Sequence, residues 1–273
     1  MKELPSSFSA PLSSNHLKKL RGLKQKKHRD KENLFLAEGV RLCEEALKSQ
    51  AQIVEVVFCQ APPATERMQK ILQHAYVDNI PVYHASEKEF HSFSETESPQ
   101  GIAFLVRHPS WNFDSTTDRR KSLLLALDAI QDPGNLGTIL RTAEWFGVDG
   151  VLLGKGCVDL YNSKVVRSSM GAIFHIPIFE NITLENVLPV LKEKTYRMIG
   201  TRVELGSEIQ SGHSADKKII LMGNEANGLT ANVAAHVDDW ITISGKGKSE
   251  SLNVAVAAGI ILYLLGDAEK ANE

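Results

Sequence analysis

The sequence predicts an α/β fold in which helices cover both faces of a parallel sheet. In the second half of the chain, short apolar strands alternate with segments of helical periodicity, which is typical of parallel sheets. Polar or glycine-containing segments follow three of these strands, at Asp128 to Asn135, Gly223 to Gly228 and Ser244 to Asn253. Ligands of such sheets bind at the carboxyl ends of the strands. We therefore expect a functional site there.

The first half of the chain, residues 33 to 107, predicts a smaller α/β unit. Its elements are a strand at Leu34 to Gly39, a helix at Val40 to Ser49, a strand at Ile53 to Cys59, a helix at Glu66 to Asn79, and strands at Pro81 to Tyr83 and Ile102 to Val106. Residues 109 to 121 lack clear periodicity and predict a linker. The expected organisation is a basic arm with a binding domain at 1–108, a linker at 109–121 and a larger domain at 122–273.

The larger domain repeats the strand–helix alternation. Strands are predicted at Leu123 to Leu127, Gly150 to Leu153, His175 to Phe179, Tyr196 to Thr201, Ile219 to Met222 and Trp240 to Ile243. Helices are predicted around the apolar stripe Leu136, Ile139, Leu140, Ala143 and Phe146, and at Ser163 to Ala172, Leu184 to Lys194, Leu229 to His236 and Leu252 to Leu265.

Composition excludes several classes of protein. The 273 residues are 42% hydrophobic and 23% charged, which is normal for a globular protein of one large or two ordinary domains. No apolar run approaches the ~20 residues of a membrane helix, and the polar N-terminus lacks a signal-peptide pattern. We expect a cytoplasmic location. The three cysteines have no metal-binding or disulfide spacing, so we expect no metal.

A dense basic segment lies near the N-terminus. Residues 16 to 31 contain eight lysine and arginine residues and one acidic residue, whereas the rest of the chain has 23 basic and 32 acidic residues. Such a segment either binds a polyanion or forms a solvated basic helix. Leu17, Leu20 and Leu23 recur at helical spacing, so part of the segment is expected to be an amphipathic helix.

Common nucleotide-binding and hydrolase motifs are absent from the sequence. Gly154 and Gly156 follow a strand, but Asp159 stands where GxGxxG needs its third glycine. Gly247-Lys248-Ser249 resembles the end of a P-loop, but Thr242 replaces the first glycine of that pattern. The chain has neither HExxH nor GxSxG. A dinucleotide-dependent enzyme, a standard NTPase, a metalloprotease and an α/β-hydrolase are therefore disfavoured.

Several small and polar side chains at the strand ends have both a structural and a functional interpretation. Gly223 and Gly228 suit an ordinary turn or a close approach of ligand to backbone. Glu225 is either a surface carboxylate or an acceptor in a site. Ser251 is expected to be the N-cap of the last helix, and Asn253 is expected inside its first turn, where asparagine is unfavourable.

Arg141 also has two interpretations. We place it near the start of its helix and away from the apolar stripe, where a helix N-terminus favours anions. It is either a solvent-facing arginine or a clamp for a phosphate or ribose.

Three segments together resemble the motifs of the SpoU/TrmH family of SPOUT RNA methyltransferases. They are Asp132-Pro133-Gly134-Asn135-Leu136-Gly137 through Arg141-Thr142, Gly223-Asn224-Glu225 with Gly228, and Glu250-Ser251-Leu252-Asn253-Val254-Ala255. Arg167 to Ala172 resembles the helix between the first two motifs. Leu36 to Gly39 resembles the start of the family's ribosomal-protein-like α/β substrate-binding domain. The motifs occur in the right order over residues 123 to 265.

The resemblance implies a C-terminal trefoil-knot domain, a topology that is a rare exception to ordinary chain connections. It also implies a homodimer that binds S-adenosylmethionine mainly through backbone groups. The implied cofactor-binding residues are Thr201, Gly223, Asn224, Gly228, Ile243 and Leu252. The implied catalytic residues are Asn135, Arg141, Glu225, Ser251 and Asn253. The expected RNA-binding residues are Lys18, Lys19, Arg21, Lys24, Lys26, Lys27, Arg29 and Glu38.

The implied reaction is methyl transfer to a ribose 2′-hydroxyl, most naturally in ribosomal RNA. Guanidinium groups stay protonated in proteins, so we assign Arg141 to phosphate binding or hydroxyl orientation rather than to proton removal. Three alternatives remain at this point. They are a noncatalytic RNA-binding protein on the same scaffold, a tRNA 2′-O-methyltransferase and an enzyme that methylates a base.

Overall fold

The computed structural model divides the chain into two compact units. Unit 1 comprises Met1–Ser110 and Tyr161–Phe174, and unit 2 comprises Trp111–Leu160 and His175–Glu273. The structure describes residues 8–61, 64–203, 207–208, 215–247 and 250–266.

The secondary structure of residues 10 to 117 consists of five strands and six helices within the described range. The strands are β1 (Ala10–Pro11), β2 (Leu34–Glu38), β3 (Ile53–Cys59), β4 (Val82–Ala85) and β5 (Ile102–Arg107). The helices are α1 (Ser14–Gly22), α2 (Lys26–Glu32), α3 (Val40–Lys48), α4 (Glu66–Val77), α5 (Glu87–Phe93) and α6 (Phe113–Thr117).

The remaining described residues contain seven more strands and five more helices. The strands are β6 (Ser122–Leu127), β7 (Gly150–Gly154), β8 (Ile178–Ile182), β9 (Arg197–Thr201), β10 (Ser207–Glu208), β11 (Lys217–Met222) and β12 (Asp239–Thr242). The helices are α7 (Pro133–Trp145), α8 (Ser163–Ser168), α9 (Leu184–Glu193), α10 (Ala231–Ala234) and α11 (Val254–Leu265), with a 3-10 turn at Ala172–Phe174.

Unit 1 is built on a five-stranded mixed sheet in the order β1-β4-β3-β5-β2. Strand β5 runs antiparallel to both of its neighbours, whereas β1, β4 and β3 are parallel. The predicted strands and helices of this half are present. The sequence analysis did not predict β1, or α5, which begins with a capping box formed by Ser86 and Glu89. Helix α5 has only seven residues, which is too short for a clear helical period.

The basic segment is part of the folded core of unit 1 and not a free arm. It forms α1 and α2, and Leu20 and Leu23 are 0% and 3% exposed. Both leucines pack in one apolar cluster with Phe90 and Phe93 of α5. The predicted amphipathic helix is therefore confirmed for α1. Its apolar residues contribute to the core while its lysines face solvent.

Residues 161 to 174 fold with unit 1 although they lie between two strands of unit 2 in sequence. Phe35 of β2 is fully buried, and its ring lies 4.7 Å from Tyr161 and 6.1 Å from Phe174 between centroids. Helix α8 ends at Ser168, four residues before the predicted end, because Met170 and Gly171 both have positive φ. A Cβ on Gly171 would lie 2.6 Å from the side chain of Glu45, so glycine permits this close approach.

Unit 2 is built on a seven-stranded sheet in the order β10-β12-β9-β11-β6-β7-β8, and all of its strands are parallel. One face carries Leu124, Leu152 and Leu221, which pack with α9 and α10. On the other face, buried Lys218 donates a hydrogen bond to the carbonyl of Leu265 at the end of α11 (2.8 Å). Helix α11 packs against α7. The predicted parallel sheet with helices on both faces is confirmed.

Two details of unit 2 differ from the sequence analysis. The segment predicted as a linker contains α6. Lys194, at the end of α9, donates a hydrogen bond to Asp114 of α6 (2.8 Å). Strand β8 begins three residues later than predicted, after the 3-10 turn that precedes it. The predicted division of the chain into residues 1–108, 109–121 and 122–273 remains a prediction. No helix in the described part of the chain is long and apolar enough to cross a membrane.

Candidate functional site

The strand register of unit 2 places the predicted motifs at one edge of the sheet. Thr201 of β9 pairs with Ile241 of β12, and Gly200 pairs with Leu221 of β11. Leu127 of β6 pairs with Met222 of β11. The loops that begin at residues 128, 202, 223 and 243 therefore leave the sheet side by side. This is the edge at which parallel α/β sheets bind ligands.

The loop after β11 is a closed turn fixed by its backbone. Asn224 and Gly228 exchange two main-chain hydrogen bonds of 3.0 and 2.9 Å. The Asn224 side-chain oxygen accepts hydrogen bonds from the amides of Ala226 (3.0 Å) and Asn227 (3.3 Å). Gly228 has φ +65°, a conformation that disfavours other residues. A Cβ on Gly223 would lie 2.0 Å from the carbonyl carbon of Gly228, so only glycine fits there.

A chain of side-chain hydrogen bonds joins the three motifs. The Asn135 amide Nδ2 donates to Glu225 Oε1 at 2.8 Å. The Asn253 amide Nδ2 donates to Asn135 Oδ1 at 3.0 Å. Because every donor points toward the carboxylate, the bonds polarise one another in the same direction. Asn135 therefore connects the first turn of α7 with the two loops that follow β11 and β12.

The N-cap of the last helix is Asn253 and not Ser251, which corrects the sequence analysis. Helix α11 begins at Val254, and Asn253 Oδ1 accepts hydrogen bonds from the amides of Ala255 (2.9 Å) and Val256 (3.3 Å). Asn253 is thus outside the first turn, where its side chain is favourable. Its carbonyl oxygen caps the helix, which leaves its amide nitrogen for Asn135. Ser251 is exposed.

Arg141 lies in the C-terminal half of α7, which also corrects the sequence analysis. It is the ninth residue of a 13-residue helix, so the anion-binding helix N-terminus is not its environment. At 1.5 Å per residue it is about 9 Å further along the helix axis than Asn135. The side chain is exposed, and the structure shows no hydrogen bond or ion pair between it and another described residue. Its guanidinium donors are therefore available to a ligand.

The proposed cofactor-binding residues border an open part of this edge. Thr201 donates its hydroxyl to the carbonyl of Leu221 (3.1 Å), which holds the ends of β9 and β11 together. The Asn224 amide donates to the carbonyl of Ala129 (3.0 Å). Gly228 has no heavy atom within 4 Å of a Cβ position, and Leu252 is 49% exposed. Ile243 follows β12 in the same row of loops.

Two residues near this edge were not singled out by the sequence analysis. Asp128, which is 5% exposed, accepts a hydrogen bond from the amide of Thr230 (2.7 Å) and so anchors the end of the glycine loop. Ala129 has φ +58°, which turns its carbonyl toward Asn224. A carboxylate directly after a continuous apolar strand was the available signal for Asp128. Nothing in the sequence marked the backbone of Ala129.

Cys157, one of the three cysteines without metal-binding or disulfide spacing, is a free thiol that donates to the carbonyl of Leu127 (3.2 Å). Burial raises the pKa of this thiol to about 11, so it is neutral at physiological pH. A neutral thiol is a poor nucleophile and a poor metal ligand. Among the residues that the structure describes, no group of three or more histidine, cysteine or acidic side chains could hold a metal ion.

The predicted RNA-binding residues lie in unit 1, and they are not equivalent. Five of the cationic side chains are exposed, and these are Lys18, Lys19, Arg21, Lys26 and Lys27. Arg29 is different, because it is 5% exposed and donates to the carbonyls of Leu23 (2.6 Å) and Lys24 (2.9 Å). It holds the α1–α2 turn, so we remove it from the set of phosphate contacts. Glu38 accepts a hydrogen bond from the Ser94 hydroxyl (2.6 Å).

Two solved structures with this architecture are named as RNA methyltransferases. A putative RNA methyltransferase of the TrmH family from Porphyromonas gingivalis has a TM-score of 0.76 and 30% identity, over 93% of this chain and 98% of that one. An AdoMet-bound rRNA methyltransferase from Sinorhizobium meliloti has a TM-score of 0.79 and 28% identity, over 93% of this chain and 95% of that one. The fold is thus that of the SPOUT methyltransferase class.

Sequence comparison places the chain within one family of that class. The model of the SpoU rRNA methylase family matches residues 122–263, and that of the MRM3-like substrate binding domain matches residues 14–103. The 23S rRNA (guanosine(2553)-2'-O)-methyltransferase RlmP of Bacillus subtilis is 36% identical over 265 residues, covering 97% of this chain and 99% of that protein. The chain belongs to the SpoU rRNA methylase family, as its three motifs indicated.

We predict that Gly223→Ala destabilises unit 2. The new Cβ would overlap the main chain of Gly228 and Leu229, and backbone atoms inside a closed turn have no alternative rotamer. Overpacking of this kind costs about 1–3 kcal/mol of the free energy of unfolding, which urea denaturation measures. Gly245→Ala is the matched control, because no heavy atom lies within 4 Å of its Cβ position. Equal unfolding midpoints for the two variants would show that the turn relaxes.

Proposed function

We propose that this protein transfers a methyl group from S-adenosylmethionine to a ribose 2′-hydroxyl of ribosomal RNA. The observation that carries the proposal is the hydrogen-bonded chain from Asn253 through Asn135 to Glu225, which joins the three family motifs at the ligand-binding edge of the sheet. Membership of the SpoU family and the full-length similarity to a 23S rRNA 2′-O-methyltransferase support it. The substrate-binding domain match supports an RNA substrate.

The open loops at the sheet edge fit the cofactor. Thr201, Gly223, Asn224, Gly228, Ile243 and Leu252 would hold it, largely through main-chain groups. The absence of a side chain at Gly228, where no heavy atom lies within 4 Å of the Cβ position, leaves the backbone of the turn accessible to a ligand. When bound, the cofactor supplies the electrophilic methyl group. The protein's remaining task is to align the ribose hydroxyl with that group, which is mainly a matter of positioning.

The polar residues divide this positioning task between them. Asn135 fixes the Glu225 carboxylate by occupying one of its oxygens at 2.8 Å, and Asn253 fixes Asn135 in turn. The guanidinium group of Arg141 has parallel N–H donors that no described residue uses, and this geometry suits a phosphate or a ribose oxygen. We assign it to orientation of the RNA and not to removal of the hydroxyl proton. Ser251, exposed beside Asn253, would complete the polar lining.

The exposed cations of α1 and α2 would supply sequence-independent contacts to RNA phosphates. Lys18, Lys27 and Lys31 are exposed, and the structure shows no ion pair between them and other described residues. Lys19 and Lys26 are closer to acidic partners, at 3.8 Å from Glu32 and 3.3 Å from Asp30. For binding of this kind, the logarithm of the binding constant falls linearly with the logarithm of the salt concentration. Because ribosomal RNA is the proposed substrate, we place the protein in the cytoplasm.

We also propose that the active form is a homodimer. The side chains of Trp145, Val256 and Tyr263 are 80%, 52% and 72% exposed on neighbouring parts of α7 and α11. The Phe146 and Tyr263 rings lie 6.2 Å apart, so the C-terminal ends of α7 and α11 are in contact on unit 2. Exposed apolar surfaces of this kind mark interaction sites. A second copy of the chain is the proposed occupant, as in the homodimers typical of the family.

The first prediction concerns catalysis. Calorimetric titration should show one S-adenosylmethionine bound per chain, in the wild type and in Arg141→Ala. Methyl transfer to RNA should fall roughly 10²-fold or more in Arg141→Ala, because this variant lacks the group that orients the RNA hydroxyl for attack. Glu144→Ala on the same helix is the control and should keep normal turnover. Normal turnover in Arg141→Ala would refute its assignment, and a folded protein without cofactor binding would indicate a noncatalytic RNA-binding role.

The second prediction concerns RNA affinity. Replacement of Lys18, Lys27 and Lys31 by glutamine should weaken RNA binding and reduce the salt slope by about 0.7–0.9 for each phosphate that the variant no longer neutralises. Point variants are preferable to deletion of residues 1 to 31, because deletion would remove the buried Leu20 and Leu23. The control replaces three lysines on other helices, Lys48, Lys70 and Lys88. An unchanged slope in the first triple variant would exclude α1 and α2 from RNA binding.

The third prediction concerns assembly. Trp145→Glu should shift the protein from dimer to monomer in sedimentation velocity, because it places a charge on the proposed apolar interface. Val77→Glu is a matched control, since Val77 is 68% exposed on α4 of unit 1. A monomeric wild type, or a Trp145→Glu variant that stays dimeric, would contradict the proposed surface.

A further inference from the structure

A small pocket in unit 1 is lined by several charged side chains that the proposed function has not yet used. Its walls come from the α1–α2 turn, β2, the end of α5 and one face of α8. The charged residues that line it are Lys24, Arg29, Glu38, Glu95 and Arg167, and Tyr161 is one of its uncharged residues. All of them belong to the same compact unit.

Two of these charged groups are already engaged by the protein. Arg29 donates to the carbonyls of Leu23 and Lys24, so its guanidinium is committed to the turn. Glu38 accepts the Ser94 hydroxyl at 2.6 Å. Both groups are therefore held in place by the fold itself.

Arg167 is not engaged in this way. It lies in the last turn of α8, and its Nη1 is inaccessible to solvent without a hydrogen-bond partner. The structure also shows no ion pair between Arg167 and any described residue. A buried charged donor without an acceptor is unfavourable. Helical spacing puts Ser163, Val166 and Arg167 on one face of α8, and that face lines the pocket.

We propose that Arg167, together with Lys24, binds a phosphate group of the RNA substrate in this pocket. A guanidinium group prefers the two-oxygen geometry of phosphate. The water-accessible space in the pocket is about 20 Å³, which is enough for one phosphate oxygen, so the remaining phosphate oxygens would lie at its open side. Three cations against two carboxylates give the lining a net positive charge. This inference rests on the proposed function, because it takes RNA as the ligand.

The role assigned to Arg167 is positioning of the RNA and not catalysis. It belongs to unit 1, whereas Asn135, Glu225 and Asn253 belong to unit 2. Removal of the Arg167 charge should therefore raise KM for RNA and leave kcat and cofactor affinity unchanged. The pocket also assigns an RNA-binding role to residues 161 to 168, which follow β7 in sequence and fold with the substrate-binding residues.

Arg167→Met separates this role from a structural one. Methionine keeps an apolar stem and removes a buried charge that has no acceptor, so the melting temperature should stay the same or rise. RNA affinity should nevertheless fall about tenfold or more, as expected when a charge-assisted hydrogen bond is removed. The salt slope should fall by about 0.7–0.9. Arg167→Lys should restore the salt slope but only part of the RNA affinity, because an ammonium group lacks the paired, planar donors of guanidinium.

Lys164→Gln is the control on the same helix, because Lys164 is exposed and does not line the pocket. It should keep the wild-type KM within a factor of about two, since single exposed charges contribute little. A wild-type KM and salt slope in Arg167→Met would overturn the inference. So would a lower melting temperature with kcat and KM changed together, which would indicate a structural arginine.

Different experimental results would contradict this inference and the proposed function. If the wild type methylates RNA and Arg167→Met is indistinguishable from it, only the pocket assignment fails. If the wild type neither binds S-adenosylmethionine nor methylates RNA, the proposed function fails. Weaker RNA binding by Arg167→Met than by the wild type would still support the phosphate site in that case.

Discussion

The site depends on one bridging side chain, Asn135. Its amide group has a donor and an acceptor, and it uses both to connect Glu225 with Asn253. These two residues come from loops that are 90 and 118 positions further along the chain. A single amide group, which both donates and accepts, thus fixes the positions of two loops relative to the first turn of α7. Neither an acidic nor a basic residue could fill this position, because each would satisfy only one of the two neighbours.

The remaining order at the site comes from the backbone. The Asn224–Gly228 turn is closed by main-chain hydrogen bonds, and Asp128 anchors the segment that follows it through the Thr230 amide. Such contacts leave few side chains between the sheet edge and a ligand. This explains why a site for a large cofactor is marked in the sequence mainly by glycines and short polar residues, which are ambiguous when considered one at a time.

The sequence predicted the elements better than their ends and their partners. Continuous apolar strands such as β6 and the stripe of α7 are strong signals, because burial determines them locally. The N-cap of α11 was misplaced by two residues, since Ser251 and Asn253 are both good caps and only the helix start at Val254, where Asn253 accepts the first amides, distinguishes them. The burial of Arg29 was not predictable either. It depends on a turn that folds against its own helix, whereas composition suggested a uniform basic surface.

The placement of residues 161 to 174 has a consequence for how this protein can be divided. The chain passes from one compact unit to the other three times, after residues 110, 160 and 174. A fragment ending at residue 110 would lack Tyr161 and Phe174 and would uncover Phe35. A fragment beginning at residue 111 would carry those aromatic residues without their partner. Neither unit is therefore a transferable module, and gene fusions or domain exchanges that cut at a single boundary would break a hydrophobic core.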